Sequence, residues 1–454
     1  MLVMKNPVDV LSSSFAEHVF SAQRELIPDI DDFYELELAF YENQILDEEG
    51  LIQNGAYFAR VGNSLTRHFQ MCAGESLRLP EHSSSRLKSF FEKNIFRTGY
   101  ATHGLFPYRG KFHPQMIKGI MNVMGLKPGD TVIDPMMGSG TVAVESALMG
   151  IHSWGFDVSP FCRFMAQTKL DALTMSLDRV RKAATNADDV FEYFRKRGCP
   201  VSGCKSAGPR YLNYANEVME EPAEYLTGNL CPLSGCDRET AQTYSFLLLA
   251  YLDAAGYAER STRKSPIDQF RSILDRYIFV ADKIQTFLRQ DHMALGQAHV
   301  SRGDARAMPI GDASVDGILF SPPYSFAIDY LDNDAFHLKY LGVDIEKLQD
   351  SMVGLRGRSL PEKFALYQND MKRVISECSR ILKRGKFCTI IVGTNSNQIG
   401  KILKQSPDEV EGLDEMLVRM GREKDLSLVR TMHRNIIGMS NTMRREQILL
   451  LQKT

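Results

Sequence analysis

Apolar and polar positions alternate in two distinct periods along this chain. The turn Lys127-Pro128-Gly129-Asp130 leads into Thr131-Val132-Ile133, a short β-branched run that predicts a buried strand. Val142–Met149 places Val144, Ala147 and Leu148 on one face and predicts a helix, and Ile151–Phe156 predicts a second strand that ends at Asp157. Further strands are predicted at Ala298-His299-Val300, Val315–Phe320, Phe387–Val392 and Gln447–Leu451. Before the last two, Pro361–Leu382 carries Phe364, Tyr367, Met371, Val374, Ile375, Cys378 and Leu382 at helical spacing. Strands alternating with helices imply an α/β fold with a mostly parallel, doubly wound sheet. Residues 171–297 break the alternation and read as a largely helical insertion. Residues 1–100 read as mostly helical, with Glu35, Glu37 and Glu42 interleaved with Leu36, Leu38, Phe40 and Tyr41, and suit packing or oligomerisation. The expected organisation is a helical N-terminal region (1–100), the first part of a catalytic domain (101–170), the insertion (171–297) and the second part of that domain (298–454).

Composition adds bounds. The chain has 454 residues, 44% hydrophobic and 24% charged, with formal net charge −2. This is ordinary for a globular protein. No apolar run approaches the roughly 20 residues that cross a bilayer. Asn6, Pro7 and Asp9 interrupt the start where a signal peptide needs a continuous apolar stretch. The expectation is a cytoplasmic protein with no membrane partner. The charge balance weighs against coating a nucleic acid by electrostatics alone, while local clusters such as Lys383, Arg384 and Lys386 leave room for focused contacts.

The chemistry concentrates at predicted strand ends, where ligands bind in open α/β sheets. Asp134-Pro135-Met136-Met137-Gly138-Ser139-Gly140-Thr141 joins the first strand to its helix. Gly138 and Gly140 let a ligand approach the backbone, and the helix N–H groups that follow point toward it. No Lys follows the glycines, so this is not a phosphate-binding P-loop. Asp157, ending the second strand, suits a ribose with two free hydroxyls, and Asp304, in Gly303-Asp304-Ala305-Arg306, suits an adenine amino group. Asp134 suits an ammonium. Three carboxylates at three successive strand ends fit a cationic sulfonium nucleoside, S-adenosyl-L-methionine, better than a polyphosphate.

Ser321-Pro322-Pro323-Tyr324 directly follows a predicted strand. Its prolines fix φ and supply no N–H, leaving a rigid row of carbonyl acceptors for an exocyclic NH2 group. Direct in-line transfer then needs positioning more than acid–base power. Tyr324 offers a face on which an extruded base can stack.

Asp134–Thr141 together with Ser321–Tyr324 resembles the DNA amino-methyltransferases, which make N4-methylcytosine or N6-methyladenine. The resemblance covers roughly residues 100–170 and 298–454. It implies a Rossmann-like methyltransferase fold dependent on S-adenosyl-L-methionine. It also implies that Asp134, Pro135, Gly138, Ser139, Gly140 and Thr141 hold the methionine portion, Asp157 the ribose and Asp304 the adenine. Thr102–Pro114, with Phe112 and His113, looks like the family element that closes over the methionine carboxylate. Asn435–Glu446 looks like its closing segment. Ser before Pro-Pro-Tyr is the form usual among N4-cytosine enzymes. The implied partner is double-stranded DNA, with a cognate restriction endonuclease as the companion such enzymes can have. C5 methylation needs a thiolate, which the C5 enzymes present in a Pro-Cys dipeptide, and this chain contains none. The cofactor loop precedes the Pro-Pro-Tyr element, and members with that order commonly place target recognition in the gap.

Cys199-Pro-Val-Ser-Gly-Cys204 recurs as Cys231-Pro-Leu-Ser-Gly-Cys236 inside that gap. Four thiolates from two such turns could close a tetrahedral zinc site that scaffolds recognition. N6-adenine in DNA, a base amine in tRNA, and a non-catalytic sensor of S-adenosyl-L-methionine stay open as alternatives.

Overall fold

The computed structural model describes residues 19–28, 30, 32–73, 98–108, 110–197, 237–259, 265–323, 330–437 and 443–454. Three short strands, β1 (Arg24–Leu26), β2 (Phe58–Val61) and β3 (Ser64–Leu65), pair antiparallel as a small sheet. The main sheet comprises β4 (Thr131–Asp134), β5 (His152–Asp157), β6 (Ala298–Arg302), β7 (Val315–Phe320), β8 (Leu382–Gly393), β9 (Leu426–Ile437) and β10 (Met443–Lys453). Its order is β6-β5-β4-β7-β8-β10-β9. β6 to β8 run parallel, and β10 runs antiparallel to both β8 and β9. This is the doubly wound α/β sheet that the hydrophobic pattern predicts.

Period-2 alternation divides the core between the two faces of the sheet. Ile318 and Phe320 of β7 pack with Phe364, Met371, Val374 and Ile375 of the helix Leu360–Ile381. Leu319 points the other way, with Val132 of β4 and Ile448 of β10, onto Met116, Ile117 and Ile120 of the helix Pro114–Val123. Every residue of β7 is buried. The one charge in it, Asp316, is met by Lys383 at 2.9 Å and by the Thr131 N–H at 3.1 Å.

The chain leaves β4 for β5 and β6, then returns to place β7 on β4's other side. That reversal opens a crevice at the carboxyl ends of β4 and β7. The helices Asp178–Ala184, Ala187–Arg197, Arg238–Ala258 and Pro266–Gln290 all precede β6. They pack with Phe161 and with Leu331 and Leu338 into a separate apolar cluster.

Two expectations are corrected. The last strand is half of a hairpin: β9 lies within the stretch where no strand was expected, and part of the supposed closing segment is strand. β9 is an edge strand, and its exposed Leu428 and Val429 beside Arg430 hide the alternation. The N-terminal region, expected to be mostly helical, also contains β1 to β3, strands too short for periodicity to reveal. It shares its core with the main sheet: Tyr34, Leu38 and Tyr57 pack against the helix Pro114–Val123.

Glu42 is the polar tie in that junction. It is fully buried and accepts from the Ala56 and Tyr57 N–H groups at 3.0 and 3.3 Å and from Asn122 Nδ2 at 2.6 Å. Glu42→Ala leaves these donors buried and unmatched. It is expected to cost about 2–4 kcal/mol in urea unfolding, against less for Glu42→Gln, which keeps one acceptor.

The four cysteines 199, 204, 231 and 236 lie outside the described residues. Among the described residues, no group of three or more His, Cys, Asp or Glu could hold a metal ion. Among them, too, no helix is long and apolar enough to cross a membrane.

Candidate functional site

The glycine loop between β4 and the helix Thr141–Leu148 is held from beneath at consecutive residues. Met137 N–H donates to the Phe156 carbonyl at 2.9 Å. Gly138 N–H donates to Asp157 Oδ2 at 3.0 Å. The Ser139 carbonyl accepts from Lys169 Nζ at 3.2 Å. Gly140 sits against Ala166, where a Cβ would come within 2.6 Å of the Ala166 Cβ. Gly138 and Gly140 have φ of +48° and +77°, a region that L side chains disfavour.

The three expected carboxylates differ in environment. Asp157 accepts from Gly138 on one oxygen and from Ser159 N–H, at 2.8 Å, on the other. Each oxygen keeps a second lone pair. Burial pushes its carboxyl up to about 6, against the pull of those two backbone bonds. Asp134 is buried, with Oδ1 accepting from Met136 N–H at 3.1 Å and Oδ2 lacking any hydrogen-bond partner among the described residues. Burial holds its carboxyl well above the usual range. Asp304 is half-exposed and forked by the Arg306 guanidinium at 2.8 and 2.7 Å. Burial raises its carboxyl, but the Arg306 bonds outweigh that and leave it below the ordinary value.

The segment before the glycine loop is anchored by a buried polar cluster. His103 Nε2 lies 2.6 Å from Glu145 Oε1, which also accepts from the Tyr100 hydroxyl. Burial lowers the His103 imidazole to about 4, so the ring is neutral. Lys111 Nζ donates to the Thr98 and His103 carbonyls, at 2.9 Å each.

A cleft of about 1050 Å³ opens at the sheet's reversal point. Of the expected residues, Phe112, Pro135, Gly138, Ser139, Thr141, Asp157, Asp304, Ser321 and Pro323 line it. His113, Asp134, Gly140 and Pro322 do not. His113 stands at the N-terminal cap of the helix Pro114–Val123. Asp134 and Pro322 are buried, and Gly140 packs on Ala166. Ser321 Oγ makes a long contact, 3.5 Å, to the Pro322 carbonyl. Tyr324 lies outside the described residues.

Other cleft walls come partly from the expected Thr102–Pro114 and Asn435–Glu446 segments, through Tyr108, Arg445 and Glu446, while Cys162, Ser351–Val353, Gly393–Gln398 and Arg434 escaped the sequence reading. Tyr108 and Cys162, in contact at 3.5 Å, flank the glycine loop. Ser351–Val353 closes another side, and Gly393–Gln398, after β8, a third. Within the last, Asn395 is left-handed at φ +55°. Arg434 and Glu446, paired at 3.0 Å across the β9–β10 hairpin, complete the rim. The polar run Thr394-Asn395-Ser396-Asn397-Gln398 at a strand's carboxyl end was the available signal.

A glycine loop, strand-end carboxylates and a proline-fixed turn around one switch-point cleft define a methyltransferase that uses S-adenosyl-L-methionine. Residues 105–192 match the UPF0020 family, described as an RMKL-like methyltransferase domain. The chain is 23% identical over 399 residues to the type II methyltransferase M.MjaII of Methanocaldococcus jannaschii, covering 67% of this chain and 74% of that one. It is 22% identical over 290 residues to the type II methyltransferase M.BsoBI of Geobacillus stearothermophilus, covering 55% and 54%. A shorter stretch of 53 residues is 36% identical to a tRNA (guanine(10)-N2)-dimethyltransferase of Methanothermobacter thermautotrophicus, covering 12% and 16%. These similarities support the resemblance to the DNA amino-methyltransferases.

Proposed function

We propose that this chain methylates the exocyclic N4 amine of cytosine in double-stranded DNA, acting on a base turned out of the helix. One observation carries the reading: Ser321 and Pro323 line the same cleft as Gly138, Asp157 and Asp304. S-adenosyl-L-methionine, when bound, supplies an electrophilic methyl group. The residues present suit it. Asp157 and Asp304 keep lone pairs for ribose hydroxyls and an adenine amine, and the orphaned Oδ2 of Asp134 suits a cation nearby. The Ser321 to Pro323 turn accepts hydrogen bonds from the target amine and holds its lone pair toward the cleft. With that cofactor bound, transfer would form the N–CH3 bond as the sulfonium S–CH3 bond breaks, its electron pair staying on sulfur in the departing S-adenosylhomocysteine and one amine proton passing to solvent. Ser at 321, rather than Asp or Asn, supports cytosine over adenine through the family resemblance. Pairing with a cognate restriction endonuclease and a zinc-bound recognition insertion are parts of the same proposal.

A second reading, a base amine in tRNA, draws support from the short match to the tRNA enzyme. Nucleoside mass spectrometry after incubating the protein and cofactor with genomic DNA and with tRNA decides between them. N4-methylcytosine in DNA is expected. N6-methyladenine, or label only in tRNA, would replace the assignment. Tyr324→Ala is expected to cut turnover about 10- to 100-fold, the worth of one stacked base, with cofactor affinity unchanged. Equal losses in both would remove the stacking role. Elemental analysis is expected to find zinc held by the two cysteine pairs, and a metal-free protein ends that part of the proposal.

A further inference from the structure

One guanidinium ties together the loop after β6 and two distant segments. Arg306 is almost fully buried, its side chain 7% exposed. Nε and Nη2 donate to the two Asp304 oxygens at 2.8 and 2.7 Å. Nη2 also donates to the Ser351 carbonyl at 2.9 Å. Nη1 donates at 3.0 Å to Asp370 on the helix Leu360–Ile381, a carboxylate 3% exposed and also paired with Arg356. A planar fork can meet all of these at once, whereas an ammonium is a single point donor.

The consequence lies in what these contacts hold. Asp304, Ala305, Ser351, Met352 and Val353 all line the cleft. With both oxygens of Asp304 engaged by one rigid group, its carboxylate cannot rotate. Oδ1 also accepts from the Arg306 backbone N–H at 2.9 Å, so the acceptor capacity left for a ligand lies on Oδ2 and has a fixed direction. Ala305, Met352 and Val353 add apolar surface beside it. A fixed acceptor edge next to an apolar wall matches a flat heterocycle with one amino-bearing edge.

We propose that Arg306 is the positioning residue of the adenine subsite, fixing the Asp304 acceptor and fastening Ser351–Val353 as the wall against which the ring lies. This rests on the reading of S-adenosyl-L-methionine as the cofactor. Neither partner is near in sequence: Ser351 and Asp370 stand 45 and 64 residues away.

The test is calorimetry on the full chain with two probes, S-adenosylhomocysteine and 5′-methylthioadenosine, the second lacking the amino-acid end. Arg306→Lys keeps the charge and breaks the fork. It is expected to raise both dissociation constants by the same factor, about tenfold, because the loss sits in the shared adenine half. In turnover, KM for the cofactor is expected to rise about tenfold while kcat holds within about twofold. Met352→Ala leaves the ion network intact and is expected to weaken both probes about threefold, which keeps the wall testable if the arginine variant does not fold. Arg306→Lys that melts earlier yet binds both probes with wild-type affinity has a purely structural role, and this overturns the proposal. So does a loss confined to S-adenosylhomocysteine. Wild-type protein that binds neither probe overturns the cofactor reading and this inference with it.

Discussion

Gly140→Ala is expected to destabilise the protein by about 2–5 kcal/mol and to abolish measurable cofactor binding. Two costs add. At φ +77° an L side chain pays roughly 1–2 kcal/mol for the left-handed backbone. The new methyl would also stand 2.6 Å from the Ala166 Cβ and 3.1 Å from its Cα. Neither atom belongs to a flexible side chain, so the helix Pro160–Asp171 must move, at about 1–3 kcal/mol for such overpacking. That helix carries Lys169, which holds the Ser139 carbonyl, so the displacement reaches the binding surface. Gly62→Ala is the control. Its φ is +57°, but nothing lies within 4 Å of the position a Cβ would take. It should cost only the backbone penalty and leave binding intact. Equal urea midpoints for the two variants would show that the contact with Ala166 is not what makes glycine necessary.

Asp157→Asn should raise the dissociation constant for S-adenosylhomocysteine about 100-fold, on the order of 3 kcal/mol. The wild-type carboxylate accepts from both Gly138 and Ser159 N–H groups. An amide turns one of those contacts into a donor facing a donor and removes the charge. The wild-type protein should also show a pH signature, because burial lifts this carboxyl to about 6. Between about pH 4 and 6 the folded chain keeps a proton that the unfolded chain has released. Asp157 therefore favours the folded state at low pH, and that contribution is lost as pH rises through about 6. Binding runs the opposite way if the ribose hydroxyls require the ionised form. Affinity should be roughly tenfold weaker at pH 5 than at pH 7, and flat over the same range in Asp157→Asn. A flat wild-type profile would take the ribose role away from Asp157.

Particular residues show what the amino-acid sequence makes legible. β7 was readable because a central parallel strand is covered on both faces, so Ile318, Leu319 and Phe320 run consecutively apolar. The glycine loop was readable because its left-handed turns admit little besides glycine. β9 was not, since an edge strand meets solvent and keeps residues such as Val429 exposed. His113 and Asp134 share motifs with cleft residues, yet local spacing does not say which side chains face inward. The Ser351–Val353 wall was illegible for a different reason: what brings it to Asp304 is a guanidinium contact spanning 45 residues. Periodicity reports on neighbours along one element and carries no information about such meetings.

The position of β7 beside β4 also bears on how the molecule is made. Thr131 and Asp316, hydrogen-bonded across this central pair, are 185 residues apart. At 5–20 residues per second, a ribosome needs roughly 10–40 s to deliver the second after the first. Throughout that interval the nascent β4 has an unzipped flank. Refolding from denaturant, where both strands are present from the start, should therefore follow a different course from synthesis, and a chaperone that shields the waiting flank should raise the yield of the second far more than that of the first.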